Sequence, residues 1–352
     1  MGSTFSLLST LKDKMLASGP GLLTSLKLEL AYFGGRAWSK RQGAGAILRL
    51  QRVRPRQKQR FQPLRSQEIT PGFLDRTIRA LKRWNYDIVS IDEACRRAVV
   101  LDAGKRFVCL TFDGAYKDVV TNAYPVLMKH RVPFAMYVPT AFPDGIGEAW
   151  WLALEQVIAR ESRISMMIGR DERHFNVTGL AEKYQLFDFL FDWIRTLESA
   201  DASMAIKDLC TRYMVNLAAV SRSSTLDWND IAKLATDPLV TVGVSTVNFV
   251  ALSSLKDPIA LREMLMGKAV LEAALRRDVK HFAYPFGDRR SWQHKHMGMA
   301  EEAGFVSAVS ALPGVVKEAG QTPQFALPRI DCDGRRQSLR AMRVLLSGAT
   351  LR

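Results

Sequence analysis

Asp113 closes the run Phe107-Val108-Cys109-Leu110-Thr111-Phe112, whose mostly apolar pattern predicts a buried strand. A carboxylate at the point where a buried parallel strand gives way to a loop stands where α/β folds set their chemistry, so Asp113 is a candidate general base. A second apolar run, Phe282-Ala283, leads into Tyr284-Pro285-Phe286, and His294 and His296 follow as a His-Lys-His pair. Two imidazoles so spaced on a loop can reach one divalent ion, with Asp288 or Asp113 completing the set, but the pair reads equally as an exposed basic turn. His130, His174 and His281 stand alone and read as packing or surface residues.

The segment Thr111-Phe112-Asp113-Gly114-Ala115 resembles the first motif of the polysaccharide deacetylases, the chitooligosaccharide (nodulation-type) group of carbohydrate esterases, which runs Thr-Phe-Asp-Asp-Gly. The resemblance implies that Asp113 holds the base position and that Gly114 replaces a metal-binding aspartate. The family's two metal-binding histidines, from His-Thr-Val-Asn-His, correspond to Ser245 and Phe249 in Ser245-Thr246-Val247-Asn248-Phe249. A third motif, Phe-Ala-Tyr-Pro-Tyr-Gly, survives as Phe282-Ala283-Tyr284-Pro285-Phe286-Gly287, and Gln51-Arg52-Val53-Arg54-Pro55 is similar to the family's His-Arg-Val-Arg-Pro. The likeness covers roughly residues 44–350. It implies an irregular (β/α) barrel, a deformed seven-to-eight-stranded relative of the TIM barrel, with Tyr284, Pro285 and Phe286 walling a sugar cleft and the amide of Phe286 available to an oxyanion.

Family chemistry needs a divalent ion, typically zinc, that lowers the pKa of its water from 15.7 to about 7. Gly114 has no side chain, Phe249 no lone pair, and the Ser245 hydroxyl is a poor ligand, so no cofactor is expected. Asp113 acting on unactivated water faces a gap some 8 to 9 units larger, on the order of 11 kcal/mol, and half of that would slow turnover about ten-thousandfold.

The elements that must position these residues alternate. Strands are predicted at 44–50, 87–90, 107–112, 133–138, 239–244, 280–284, 305–309 and 325–331, with helices over 119–130, 258–276 and 297–303 between them. Thr70-Pro71 reads as an N-cap and first helical residue, followed by Phe73, Ile78, Leu81 and Trp84 at helical spacing. Over 148–236 the alternation stops and a helical insertion is predicted, with Leu186, Phe187, Leu190, Phe191 and Ile194 on one face. Residues 52–65 read as a basic loop, solvated by default, with a phosphate or anionic-glycan contact as the alternative. Residues 1–43 read as an amphipathic helical segment that packs under the barrel or lies on a membrane surface.

The chain has 352 residues, 47% of them apolar, and a formal net charge of +15, enough apolar content for one barrel-sized domain and a balance that favours an acidic partner. Four cysteines without a Cys-x-x-Cys pair point to reduced thiols rather than to a disulfide framework or a thiolate metal site. No secretory signal and no apolar run of about 20 residues is visible, so a cytoplasmic location is expected, with peripheral contact at the inner membrane as a variant. Three functions stay open. The first is a catalytically degenerate deacetylase-like protein that binds a glycan or lipid-linked sugar or partners a glycan-assembling enzyme; the second is an active carbohydrate N-deacetylase with a metal relocated to His294 and His296. The third is a basic scaffold on a membrane or polyanion. Nucleic acid is not the expected partner.

Overall fold

The structure, a computed structural model, describes Tyr32, residues 43–100 and residues 104–348. The predicted amphipathic segment 1–43 lies outside the described residues apart from Gly43 and Tyr32, whose ring packs on Ala341 and Val344.

The strands in chain order are β1 (Gly45–Leu50), β2 (Arg52–Val53), β3 (Glu68–Ile69), β4 (Asp87–Val89), β5 (Phe107–Asp113), β6 (Phe134–Val138), β7 (Arg163–Ile168), β8 (Asp171–Asn176), β9 (Val240–Val244), β10 (His281–Ala283), β11 (Ser307–Pro313) and β12 (Leu327–Asp331). Among the described residues there are eleven α-helices: α1 (Pro71–Arg83), α2 (Ile91–Val99), α3 (Tyr124–His130), α4 (Trp150–Arg160), α5 (Leu180–Ile194), α6 (Ser199–Arg212), α7 (Leu217–Ser224), α8 (Trp228–Ala235), α9 (Asp257–Leu275), α10 (Lys295–Glu302) and α11 (Leu339–Ser347). Seven parallel strands, β1-β12-β11-β10-β9-β6-β5, form a ring that β1 closes by pairing with β5 from Gly45↔Phe107 to Leu50↔Phe112. The eighth strand, β4, pairs only with the first part of β5, at Asp87↔Phe107 to Val89↔Cys109, while β6 takes the rest from Leu110↔Phe134 to Asp113↔Tyr137. This is the irregular (β/α) barrel that the sequence implied.

Side-chain alternation sets what faces the barrel axis. On β5, Val108, Leu110 and Phe112 pack outward into the large core under the helices, while Phe107 and Cys109 belong to the inner cluster with Ile47, Ala135, Tyr137, Ala283, Val309 and Leu327. The interior is tight enough to require Gly243, where an added Cβ would come within 2.7 Å of the Tyr137 ring. Helix α1 begins as its residues dictate: the Thr70 hydroxyl accepts from the Phe73 amide at 3.2 Å, and Pro71 fills the first turn, where no N–H is needed.

Helices α4 to α8 make up the predicted insertion, but it also holds a hairpin that was not expected. β7 and β8 pair antiparallel from Arg163↔Asn176 to Ile168↔Asp171 around Gly169, which has φ +67°. β8, Asp-Glu-Arg-His-Phe-Asn, is almost wholly exposed, so it lacks the alternating apolar pattern that marks a half-buried strand. The insertion has its own core of Trp151, Leu154, Ile158, Leu186, Leu190 and Leu209, which runs on into Tyr116 and the partly buried Phe249 and Phe286 at the barrel mouth. The predicted basic loop is partly ordered: Arg52 and Val53 pair with Glu68 and Ile69, and a 3-10 turn spans Pro63–Gln67.

Candidate functional site

Asp113 ends β5 with only 4% of its surface exposed. Its two carboxylate oxygens accept from Nη1 and Nη2 of Arg329 at 2.7 and 2.8 Å. Arg329 sits at the middle of β12, on the same strand face as Leu327, and is the largest fully buried side chain among the described residues. It also donates from Nε to the Ser310 carbonyl at 2.6 Å and from Nη1 to the Thr111 hydroxyl at 3.1 Å. A guanidinium suits this place because its planar fork matches the carboxylate edge while Nε and Nη1 also reach acceptors on β11 and β5. Arg49 of β1 adds a second cation 3.9 Å from Asp113 while donating to Asp331 and, at 2.8 Å, to the Phe286 carbonyl.

The residues beside Asp113 do not fit the divalent ion of the resembled family. At Gly114, with φ +95°, a Cβ would lie 2.8 Å from the Tyr116 ring. That ring is held by the Trp151 indole, which donates to the Tyr116 hydroxyl at 2.8 Å, and by Arg52 stacked 4.9 Å above it. The Ser245 hydroxyl is buried and donates to the Ala283 carbonyl at 2.8 Å. Phe249 fills its position with a ring 5.1 Å from Phe286 and 5.4 Å from Trp151.

What these residues enclose is a cleft of 170 Å³. One wall is aromatic, from Trp151 and Phe191 of the insertion and from Phe249 and Phe286 of the barrel loops; Arg49, Gln51, Gln67, Arg195 and Asp288 supply the polar groups, and Asp113 is the floor. Arg195 lies 4.5 Å above the Phe286 ring and donates to Asp288 at 2.5 Å. Burial alone would raise the Asp288 carboxyl, but Arg195 and the amide of Arg290 hold it below the usual carboxylate range.

The other expected site residues separate. Tyr284 does not wall the cleft: alternation turns it outward with Phe282, where it stacks on Trp292 at 4.4 Å and donates to the Phe325 carbonyl at 2.8 Å. Pro285 is buried, and only Phe286 of that trio reaches the cleft. His294 and His296 do not converge on an ion. His294 is exposed at the start of α10, whereas His296 is fully buried, its Nδ1 accepting from the Gln293 amide at 2.9 Å, and burial lowers its pKa to about 4. No group of three or more His, Cys, Asp or Glu side chains among the described residues is arranged to hold a metal. Sequence reasoning missed Arg329, Arg49 and Arg195 as well as the insertion's aromatic wall. A signal existed for Arg329, since a charged residue on the face opposite Ile330 in a parallel strand needs a buried partner.

No family model and no curated protein matches the sequence. Solved structures do match in fold. A Streptococcus pyogenes deacetylase, PplD, in complex with acetate aligns with a TM-score of 0.55 at 15% identity, covering 87% of this chain and 99% of that one. IcaB from Ammonifex degensii gives 0.54 at 16%, covering 86% and 98%, and a de-N-acetylase from Aggregatibacter actinomycetemcomitans gives 0.53 at 11%, covering 86% and 99%. The chain thus has the polysaccharide deacetylase fold along nearly the full length of these proteins.

Proposed function

We propose that this protein uses a polysaccharide deacetylase barrel to bind a glycan rather than to deacetylate one, and that it serves glycan metabolism beside the enzymes that build or modify that glycan. The observation that carries this reading is the division of labour at the β5 end. The three positions that would hold a metal are closed by a ring, a backbone hydrogen bond and a glycine under Tyr116, yet the cleft over Asp113 keeps an aromatic wall facing polar side chains. Pyranose rings present apolar C–H faces edged with hydroxyls, and such a cleft offers a complement to both. Hydroxyls can donate to Asp113 and Asp288 and to the Gln51 and Gln67 amide oxygens.

Titration calorimetry with N-acetylglucosamine oligomers tests the reading together with acetate assays run with and without zinc. Binding without acetate release is expected, and Phe286→Ala should weaken binding about tenfold by removing one face of the wall. Zinc-dependent acetate release would overturn the binding-only reading, and the absence of oligosaccharide binding would overturn the glycan reading.

A further inference from the structure

A second cleft of 210 Å³ adjoins the first, and Arg49, Gln51 and Gln67 line both. Its far side is made by the turn after β12, with Asp333, Arg335 and Arg336, and by Ser66, whose carbonyl accepts from the Gly334 amide at 3.1 Å. Arg335 and Arg336 share one buried carboxylate, Asp333, at 3.0 and 2.9 Å. Each guanidinium carries five N–H donors, so this pairing fixes the two arginines while leaving N–H groups of Arg336 and Arg335 without hydrogen bonds to described residues. Three arginines line the cleft against two carboxylates, Asp331 and Asp333. Arg65, next to Ser66 in the chain, is exposed and in no ion pair among the described residues.

We propose that the two clefts are subsites of one groove, and that the second takes an anionic group, a carboxylate or a phosphate, carried next to the sugar ring held on the aromatic wall. The inference rests on the glycan reading above and narrows it to acidic or phosphorylated glycans. Asp333 is too buried to compete for a ligand, and it holds two guanidiniums against one carboxylate oxygen, at 3.0 and 2.9 Å. Asp331 is half exposed but already occupied by Arg49.

Titration calorimetry on the full chain at low and high salt uses three probes: a neutral N-acetylglucosamine tetramer, a tetrasaccharide alternating N-acetylglucosamine with glucuronate, and N-acetylglucosamine 1-phosphate. At low salt the uronate tetrasaccharide should bind at least about tenfold tighter than the neutral tetramer, with the advantage shrinking at high salt. A phosphate source shows instead as preference for the 1-phosphate. Arg336→Gln and Arg335→Gln, made singly so that Asp333 keeps one partner, should each remove most of the advantage and leave the neutral tetramer unaffected. Equal affinity for neutral and charged probes, or an advantage that survives both variants, overturns the anionic subsite while the glycan reading stands. Binding of the 1-phosphate with no affinity for either tetrasaccharide overturns the shared groove, and failure of all three probes sinks both readings.

Discussion

Arg329 decides what Asp113 is for. A carboxylate that serves as a base needs an edge free to receive a proton, whereas this one meets a bidentate fork from a fully buried guanidinium and is left with lone pairs for a hydroxyl. Removing Arg329 takes both close hydrogen bonds from the buried Asp113 carboxylate and leaves it the more distant Arg49, 3.9 Å away. Arg329→Met should cost about 3–5 kcal/mol in urea unfolding, and Arg329→Met with Asp113→Leu should cost less than Arg329→Met alone. A loss below about 1 kcal/mol for the single variant would show that water or Arg49 takes over the carboxylate. The site is also closed to repair. The triple variant Gly114→Asp, Ser245→His, Phe249→His is expected to take up no zinc by elemental analysis, because the first change sets a Cβ 2.8 Å from a Tyr116 ring pinned by Trp151 and Arg52. One zinc per chain would mean that Tyr116 can swing aside. Asp113 was legible from the sequence because it ends an apolar run; its partner was not, since 216 residues separate them and no local pattern joins two strands so far apart.

At the scale of elements, the insertion supplies half of the cleft wall, so its seam with the barrel matters. Glu155 of α4 lies in that seam with Glu68, Arg54 and Arg52. Burial, then repulsion from Glu68, pushes its carboxyl up from 4.5 to about 7, against the pull of the two arginines. A carboxyl whose pKa is higher in the folded state favours folding most below the unfolded value of 4.5, and that contribution is lost as pH rises through 7. Between pH 5 and pH 8 the stability of the wild type relative to Glu155→Gln should therefore fall by about 2–3 kcal/mol, measured by urea unfolding of both proteins. A difference that does not change with pH would mean that the seam is wet. The insertion itself was readable from the end of the βα alternation and from the stripe on α5. Its hairpin was not, because Gly169 at a positive φ was the only local sign of a turn between strands of such unlike burial.

For the molecule as a whole, the eight strands of the main sheet were legible at their places along the chain because apolar runs in a parallel barrel are local, while their order in the sheet, the ring closure and β4's half-length pairing are relations between distant segments. No helix among the described residues is long and apolar enough to cross a membrane. If the barrel stands without a metal, scanning calorimetry should give the same Tm with and without chelator, and a bound oligosaccharide at a hundred times its Kd should add about 2.7 kcal/mol of stability. A chelator-induced drop that zinc restores would contradict this. The closure has a cost in time. Arg49 and Asp331, which meet where β1 joins β12, are 282 residues apart, and ribosomes that add about 5–20 residues per second need roughly 15–60 s to span that distance. Through that interval one edge of β1 offers unpaired amides and carbonyls to any passing strand, and Asp113 keeps its water until Arg329 emerges. That edge is covered only when β12 is available to pair with β1 at Leu48↔Ile330 and Arg49↔Asp331.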